Sequence, residues 1–557
     1  MRLRVHAALW LAPVLLFVPV LFISQTMLFG NTDALFYTLL MKLSGAQALM
    51  GYPWSHWLMD ADAGLGGPAM YFYPPLPYTL TALLTLPLSL EGVPEGFRML
   101  AGMYAAIVAS GYTSHRWLLR HYSPHIARMG ALLYMLLPYH LIYIYLHFNL
   151  AQLWALAWLP LWMMAAEDLA AKQGRRPVIT FALCGALVGY THPLTLLAFG
   201  AVPVAYACWL GHAQWMRLLP HLFAAFALMA ALLASYLAGL ATVRGWMTSD
   251  SAFTSDRFSV FGNLAHVDSV LETVYLAIAV FTWLLWHRIG KVPPVCIFFI
   301  TVLAVLWGMT LPIAAPLWHL FTPLQLLQFP AARLHSGMLV AGVFLACAFL
   351  SQDGQVKDAP FFLRPYTLWT VVAVFGVASL VRIGNAYRET SPTLTADYVH
   401  TMQQSSIVPM PYQLRWSSMS AASIYKDLPR LNAMPQAVFL QGKGTVNINW
   451  WKPGSIGLTA HVQSPHAVLA VRQRYVPAWA AQPQFDSGLP YPVTIIPVRK
   501  EGLTGLTLQR GRNAINLSIA STPAQHMATT GSIITLIILL AISVYIRIKR
   551  RHARIAA

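Results

Sequence analysis

The sequence predicts a polytopic α-helical membrane protein with about twelve transmembrane helices, a juxtamembrane helix on the outer face and a small β-sandwich before the last helix. Three observations predict it. Hydrophobic residues fill 57% of the 557 positions and charged residues only 10%, whereas a soluble chain carries roughly a quarter charged residues. Apolar runs long enough to cross a hydrocarbon core of ~30 Å recur from one end to the other. The 36 lysines and arginines outnumber the 18 acids, and most sit in short loops between those runs, where basic residues set orientation. Topology therefore explains the formal charge of +18, and no nucleic-acid partner is expected.

MRLR precedes an apolar run over 7–28. The run is too long for a signal-peptide core and lacks a clear small-residue cleavage site, so it is expected to remain as the first helix. Further spans are expected near 97–117, 126–146, 150–168, 177–192, 193–210, 218–240, 269–286, 292–309, 334–351, 365–382 and 529–547. The segment 72–90 opens FYPPLPYTL, and its prolines remove backbone donors that a lipid-exposed span cannot leave unmatched. Loop charge decides whether it crosses. With MRLR in the cytoplasm and 72–90 lying on the outer surface, Arg116, Arg120 and Arg128 fall on the cytoplasmic side. So do Lys172, Arg175, Arg176, Arg217, Arg288, Lys291, Lys357, Arg364 and the terminal KRRHAR. The outer side receives the loops 29–96, 241–268 and 310–333 and the segment 384–528. A crossing 72–90 would invert every later loop.

The chain thus divides into a transmembrane domain over 1–383, an outer mostly-β domain over 384–528, and a final helix with a basic cytoplasmic tail over 529–557. Within 384–528, GLTAHVQ, AVLAVRQR, YPVTIIPV and LTGLTLQ alternate with a period of two between turn residues, as sandwich strands do. Cys184, Cys208, Cys296 and Cys347 each lie inside a separate apolar run. They read as packing residues, with neither a disulfide nor a metal cluster expected.

Candidate chemistry gathers on the outer side. The first loop carries Asp33 just past the first span, then His56, Asp60 and Asp62, then Tyr73 in the proline-rich stretch. Asp33 suits a general base at the membrane surface, or equally a helix cap. Arg98 opens the second span and Arg333 the tenth, with His335 beside it. Their side of the membrane is the one that the positive-inside rule leaves without arginines. A guanidinium there suits a phosphate, which it binds in bidentate fashion, although an arginine at a helix end also snorkels harmlessly. His192, in GYTHPL between two spans, is either a site residue or a turn cap. No Walker A loop, GxSxG elbow, HExxH or CxxC occurs. Acids are almost absent from the spans, which argues against an ion-coupled carrier.

A first span, an Asp-bearing outer loop, a PPLPY helix and an arginine opening the next span together resemble the GT-C superfamily of membrane glycosyltransferases. YPWSHWLMDADAGLGGPAMYFYPPLPYTL, LQFPAARL and RQRYVPAWAAQPQFDSG are similar to bacterial 6-pyruvoyl-tetrahydropterin synthase-related membrane proteins and the YfhO-like group. Nothing in the sequence supports the pterin chemistry of that label. The resemblance implies a GT-C fold in a bacterial inner membrane, both termini cytoplasmic and the large domain periplasmic. It implies transfer of a sugar from a polyprenyl-phosphate donor to a glycan, lipid or protein acceptor. Asp33 is then the catalytic residue, and Arg98, Arg333 and His335 hold the donor phosphate. His56, Asp60, Asp62, Tyr73 and His192 line the site, and a divalent metal ion is the one cofactor the pattern admits. A non-catalytic glycan-binding scaffold and a lipid-glycan transporter are the rival classes.

Overall fold

The computed structural model describes residues 10–22, 32–172, 174–249, 259–264, 278–280, 283, 292–351, 365–389, 396–409, 412–483 and 492–555. Prolines and side-chain caps start most of the helices. Ser123 Oγ accepts from Ile126 N ahead of Pro124, and Asn149 Oδ1 accepts from Gln152 N at 3.0 Å. Such caps satisfy amides that the helix itself leaves orphaned. The helices that position the site are α1 (Thr32–Leu49), α2 (Leu76–Leu84), α3 (Glu95–Leu118), α4 (Pro124–Leu136), α5 (Pro138–Tyr145) and α6 (Leu150–Ala171). They are followed by α7 (Arg175–Thr191), α8 (Pro193–Phe199), α9 (Ala201–Leu210), α10 (Trp215–Arg244), α11 (Pro294–Gly308), α12 (Pro330–Leu350), α13 (Pro365–Glu389) and α14 (Pro523–Ile555).

The bundle packs α6 between α3 and α7, α10 against α7 and α14, and α12 against α4 and α11. Fewer of these helices than the expected twelve have the character of a span. Among the described residues, five stretches are long and apolar enough to cross a bilayer, and a sixth if Pro294–Gly308 and Pro312–Leu320, bent by 87°, count as one. The difference has a packing cause. Helices α3 and α6 bury most of their surface against neighbours, so they carry the glycine, serine and glutamine that helix–helix contact in a membrane favours rather than continuous apolar residues. The expected first span is described only over Ala12–Phe22, as a 3₁₀ helix, and most of 269–286 lies outside the described residues. The segment 72–90 is not one helix. Leu76–Leu84 and Leu86–Leu90 flank Thr85, and nine residues reach only ~14 Å.

The β region is a single six-stranded sheet rather than the expected two-sheet sandwich. Strand β1 (Met247–Ser249) pairs separately with β2 (Tyr412–Leu414), joining the loop after α10 to the later chain. The sheet proper contains β3 (Ala437–Gln441), β4 (Gly444–Lys452), β5 (Ser455–Arg474), β6 (Trp479–Pro483), β7 (Ile495–Val498) and β8 (Leu503–Ile519). Two long antiparallel strands, β5 and β8, run through both halves, so hydrogen bonding is continuous. A register break between Val462 and His466 separates the halves. Buried residues of both halves, Leu458 and Leu469 among them, join Trp57, Met59 and Trp246 from the helical part in one cluster. The first loop and the sheet therefore share a core.

Candidate functional site

Asp33 stands in the first turn of α1, where a carboxylate suits the positive end of the helix dipole. Its residue is exposed, yet the protein around it displaces enough water to raise its pKa above the usual 3.8. The carboxyl group is thus exposed and yet partly desolvated. The opposing influence is Arg333, whose guanidinium lies within electrostatic reach and draws that pKa back down. The two do not pair directly among the described contacts. One turn along, Tyr37 feels both charges, packs edge-on to Tyr73 with ring centres 6.3 Å apart, and stacks on Tyr78.

Arg333 is half-buried in the first turn of α12 and is held from behind. Its Nη1 donates to Gln152 Oε1 at 2.9 Å. Gln152 is completely buried, and its Nε2 donates to Tyr139 Oη at 2.7 Å. Tyr139 and Tyr143 hydroxyls both donate to the Ala332 carbonyl, at 3.2 and 2.9 Å. This chain fixes the guanidinium through three helices, α5, α6 and α12, while its Nε stays without a hydrogen-bond partner. A buried donor left unmatched costs about 1–3 kcal/mol, and a phosphate oxygen would satisfy it. His335 is fully buried and stacks on Tyr139, ring centres 5.1 Å apart.

His192 caps α8. Its Nδ1 accepts from Thr195 N at 3.2 Å and meets Thr195 Oγ1 at 2.8 Å, so the neutral ring carries its proton on Nε2. Arg333 lies within electrostatic reach of it, which places this turn cap at the edge of the same cluster. Gln152, Tyr139 and Tyr143 were not singled out in the sequence. An amide or phenol inside an apolar run shows no periodicity or motif that would distinguish it.

The other expected site residues go elsewhere. Arg98 is 8% exposed and donates to the Ala82 carbonyl of α2 at 3.5 Å. No described interaction joins it to Asp33 or Arg333; it tethers α2 to α3, and its Nε, like that of Arg333, has no hydrogen-bond partner among the described residues. Asp62 is consumed structurally. Its carboxylate forms an ion pair with Arg474 at the end of β5, both side chains being 8% exposed, and accepts from Val408 N at 2.8 Å. His56 stacks on Tyr71, ring centres 4.8 Å apart, and burial lowers its pKa to about 4. Asp60 is exposed, with its pKa raised by partial burial, and no described interaction joins it to the Asp33 cluster. Among the described residues no group of three or more His, Cys, Asp or Glu could hold a metal ion. The described residues thus do not fit a protein-held metal, and no step below passes through one.

The family described as 6-pyruvoyl-tetrahydropterin synthase related domain, membrane protein, matches residues 70–383, more than half of the chain. No curated protein matches. Among solved structures, the single-particle cryo-EM structure of arabinofuranosyltransferase AftD from Mycobacteria is similar at 17% identity and a TM-score of 0.35. That likeness covers 71% of this chain and 27% of the other, so this chain spans little more than a quarter of that protein's length.

Proposed function

The chain belongs to the 6-pyruvoyl-tetrahydropterin synthase related family of membrane proteins, and we propose that it is a glycosyltransferase of GT-C type. The donor is a sugar on a polyprenyl phosphate, and the acceptor is a hydroxyl group outside the cytoplasm, in the periplasm of a bacterium. One observation carries this reading: an exposed yet desolvated Asp33 lies within electrostatic reach of Arg333, whose guanidinium is held by Gln152. Asp33 takes the proton of the acceptor hydroxyl. The oxygen attacks the anomeric carbon, the bond from that carbon to the carrier phosphate breaks, and the released phosphate carries the electron pair. Arg333 neutralises the charge that grows there, and Gln152 keeps the guanidinium aimed so that no reorganisation is needed during reaction. A membrane-anchored donor fits a site outside the cytoplasm, where nucleotide sugars are absent.

The test is sugar transfer in proteoliposomes supplied with a defined polyprenyl-phosphate sugar. Arg333→Ala is expected to raise KM for the donor as well as lower kcat, because a phosphate contact made in both ground and transition states is lost. Unchanged donor KM in that variant would remove Arg333 from the reading. The scaffold alternative draws on a separate observation, the shared core of the first loop and the sheet, and it requires no transfer at all.

A further inference from the structure

Away from the Asp33 cluster, strand β4, the first half of β5, the second half of β8 and strand β6 lie side by side. Their register sorts side chains into rows. Trp450 pairs with Gly457, Gly457 with Asn516, and Asn516 with Gln482, so these four share one row on one face. The neighbouring rows on that face bring Ser455 and Ser518 on one side and Asn447 and Thr459 on the other. The opposite face, with Ile456, Leu458, Ile515 and Leu517, is buried in the sheet core.

Trp450 is no part of that core. Its indole lies flat over Gly457, where a Cβ would fall 2.4–2.5 Å from three ring atoms. Only glycine permits this. The indole Nε1 donates to Ser455 Oγ at 3.2 Å, and Ser455 Oγ donates to Asn516 Oδ1 at 3.2 Å. Beside it, Asn449 Nδ2 donates to Thr459 Oγ1 at 3.0 Å. The ring is thus held by one face and one edge, half-buried, with its second face turned away from the sheet. Exposing a tryptophan face forfeits the hydrophobic gain of burying it, so the arrangement is informative.

We propose that this face is a glycan-binding platform, with Trp450 as the surface on which a pyranose ring stacks. A sugar ring presents apolar C–H groups on its faces and hydroxyls around its rim. A flat aromatic ring suits the first, and the amides of Asn447, Asn516 and Gln482 with the hydroxyls of Ser518 and Thr459 suit the second. Strands β4, β5, β6 and β8 contain no Asp or Glu, so the face offers recognition without an acid to act on the sugar. Prior fixing of the indole removes the ordering cost that a free side chain would incur on binding. The proposal does not rest on the transfer reaction.

The experiment titrates the full-length protein in nanodiscs with four soluble probes, maltohexaose, cellohexaose, chitohexaose and α-1,6-mannohexaose, followed by tryptophan fluorescence and calorimetry. At least one is expected to bind at about 1 mM or tighter. Trp450→Ala is expected to weaken that binding about tenfold or more, and Trp450→Phe, which keeps a flat ring, to retain it within about threefold. Asp33→Asn should leave it unchanged, which separates this platform from the transfer site. Absence of saturable binding to all four sugars overturns the proposal, as does equal binding by a folded Trp450→Ala protein. Binding of Trp450 to lipid vesicles in place of sugars would also overturn it.

Discussion

Arg333 and Asp33 stand out in the sequence for one reason: each is a charge at an apolar boundary on the side that loop charge does not explain. Their relation to each other emerges only from the fold, which brings α1 and α12 together over a separation of 300 positions. Gln152 was illegible, since it looks like any tolerated amide in a helix until Arg333 is found resting on it. His56 was legible as a loop histidine but not as a half-buried, desolvated one, and the loss of solvent gives it a measurable signature. Its pKa falls from 6.5 to about 4 on folding, so the unfolded chain binds a proton at a pH where the folded chain does not. The stability from this ring is therefore complete above about pH 6.5 and is lost as pH falls toward about 4. Thermal unfolding followed across that window should show a shallower loss of stability in His56→Phe than in the parent. An unchanged slope would show that the ring titrates normally in the folded protein.

At the scale of elements, most apolar runs were readable as helices, because period and composition mark them directly, while the proline-rich stretch breaks into two short helices where one was expected. The attachment of the first loop to β5 was not readable. Arg472, Gln473 and Arg474 end that strand and reach into residues 57–66 of the loop. Gln473 accepts from Trp57 Nε1 at 2.7 Å and donates to the Met59 and Gly64 carbonyls, while Arg474 N donates to the Leu65 carbonyl at 2.6 Å. Asp62 and Ala63 adopt positive φ there, strain that only surrounding contacts can hold. In sequence Asp62 read as a residue lining the site, but spatially it answers a buried arginine more than 400 positions away. Removing either partner of a buried pair strands the other charge, at a cost of about 3–5 kcal/mol. Asp62→Ala and Arg474→Ala should each lower stability on that scale, and the double variant should lose much less than their sum. Additive losses, read from denaturant unfolding, would show that the pair is not coupled.

Across the whole molecule, interactions sort to two ends of the bundle. The first loop, the segment after α10 and the β-sheet meet at one end through Asp62–Arg474 and the β1–β2 pairing. At the other, Arg120 bridges Glu167 and Asp168, with Lys172 on Asp168. Which end faces the cytoplasm is proposed from loop charge alone, with the sheet outside. In a background lacking the exposed Cys208, a cysteine at Asn447 should react with an impermeant thiol reagent in spheroplasts. One at His552 should react only after the membrane is opened, and the reverse pattern would invert the orientation. If Asp33 is the base for sugar transfer, the Asp33→Asn protein in proteoliposomes should prove folded in thermal unfolding while its transfer rate falls by ~10²–10⁴-fold. A folded Asp33→Asn protein with near-normal turnover, having lost only the ~1 kcal/mol of a helix cap, would contradict it.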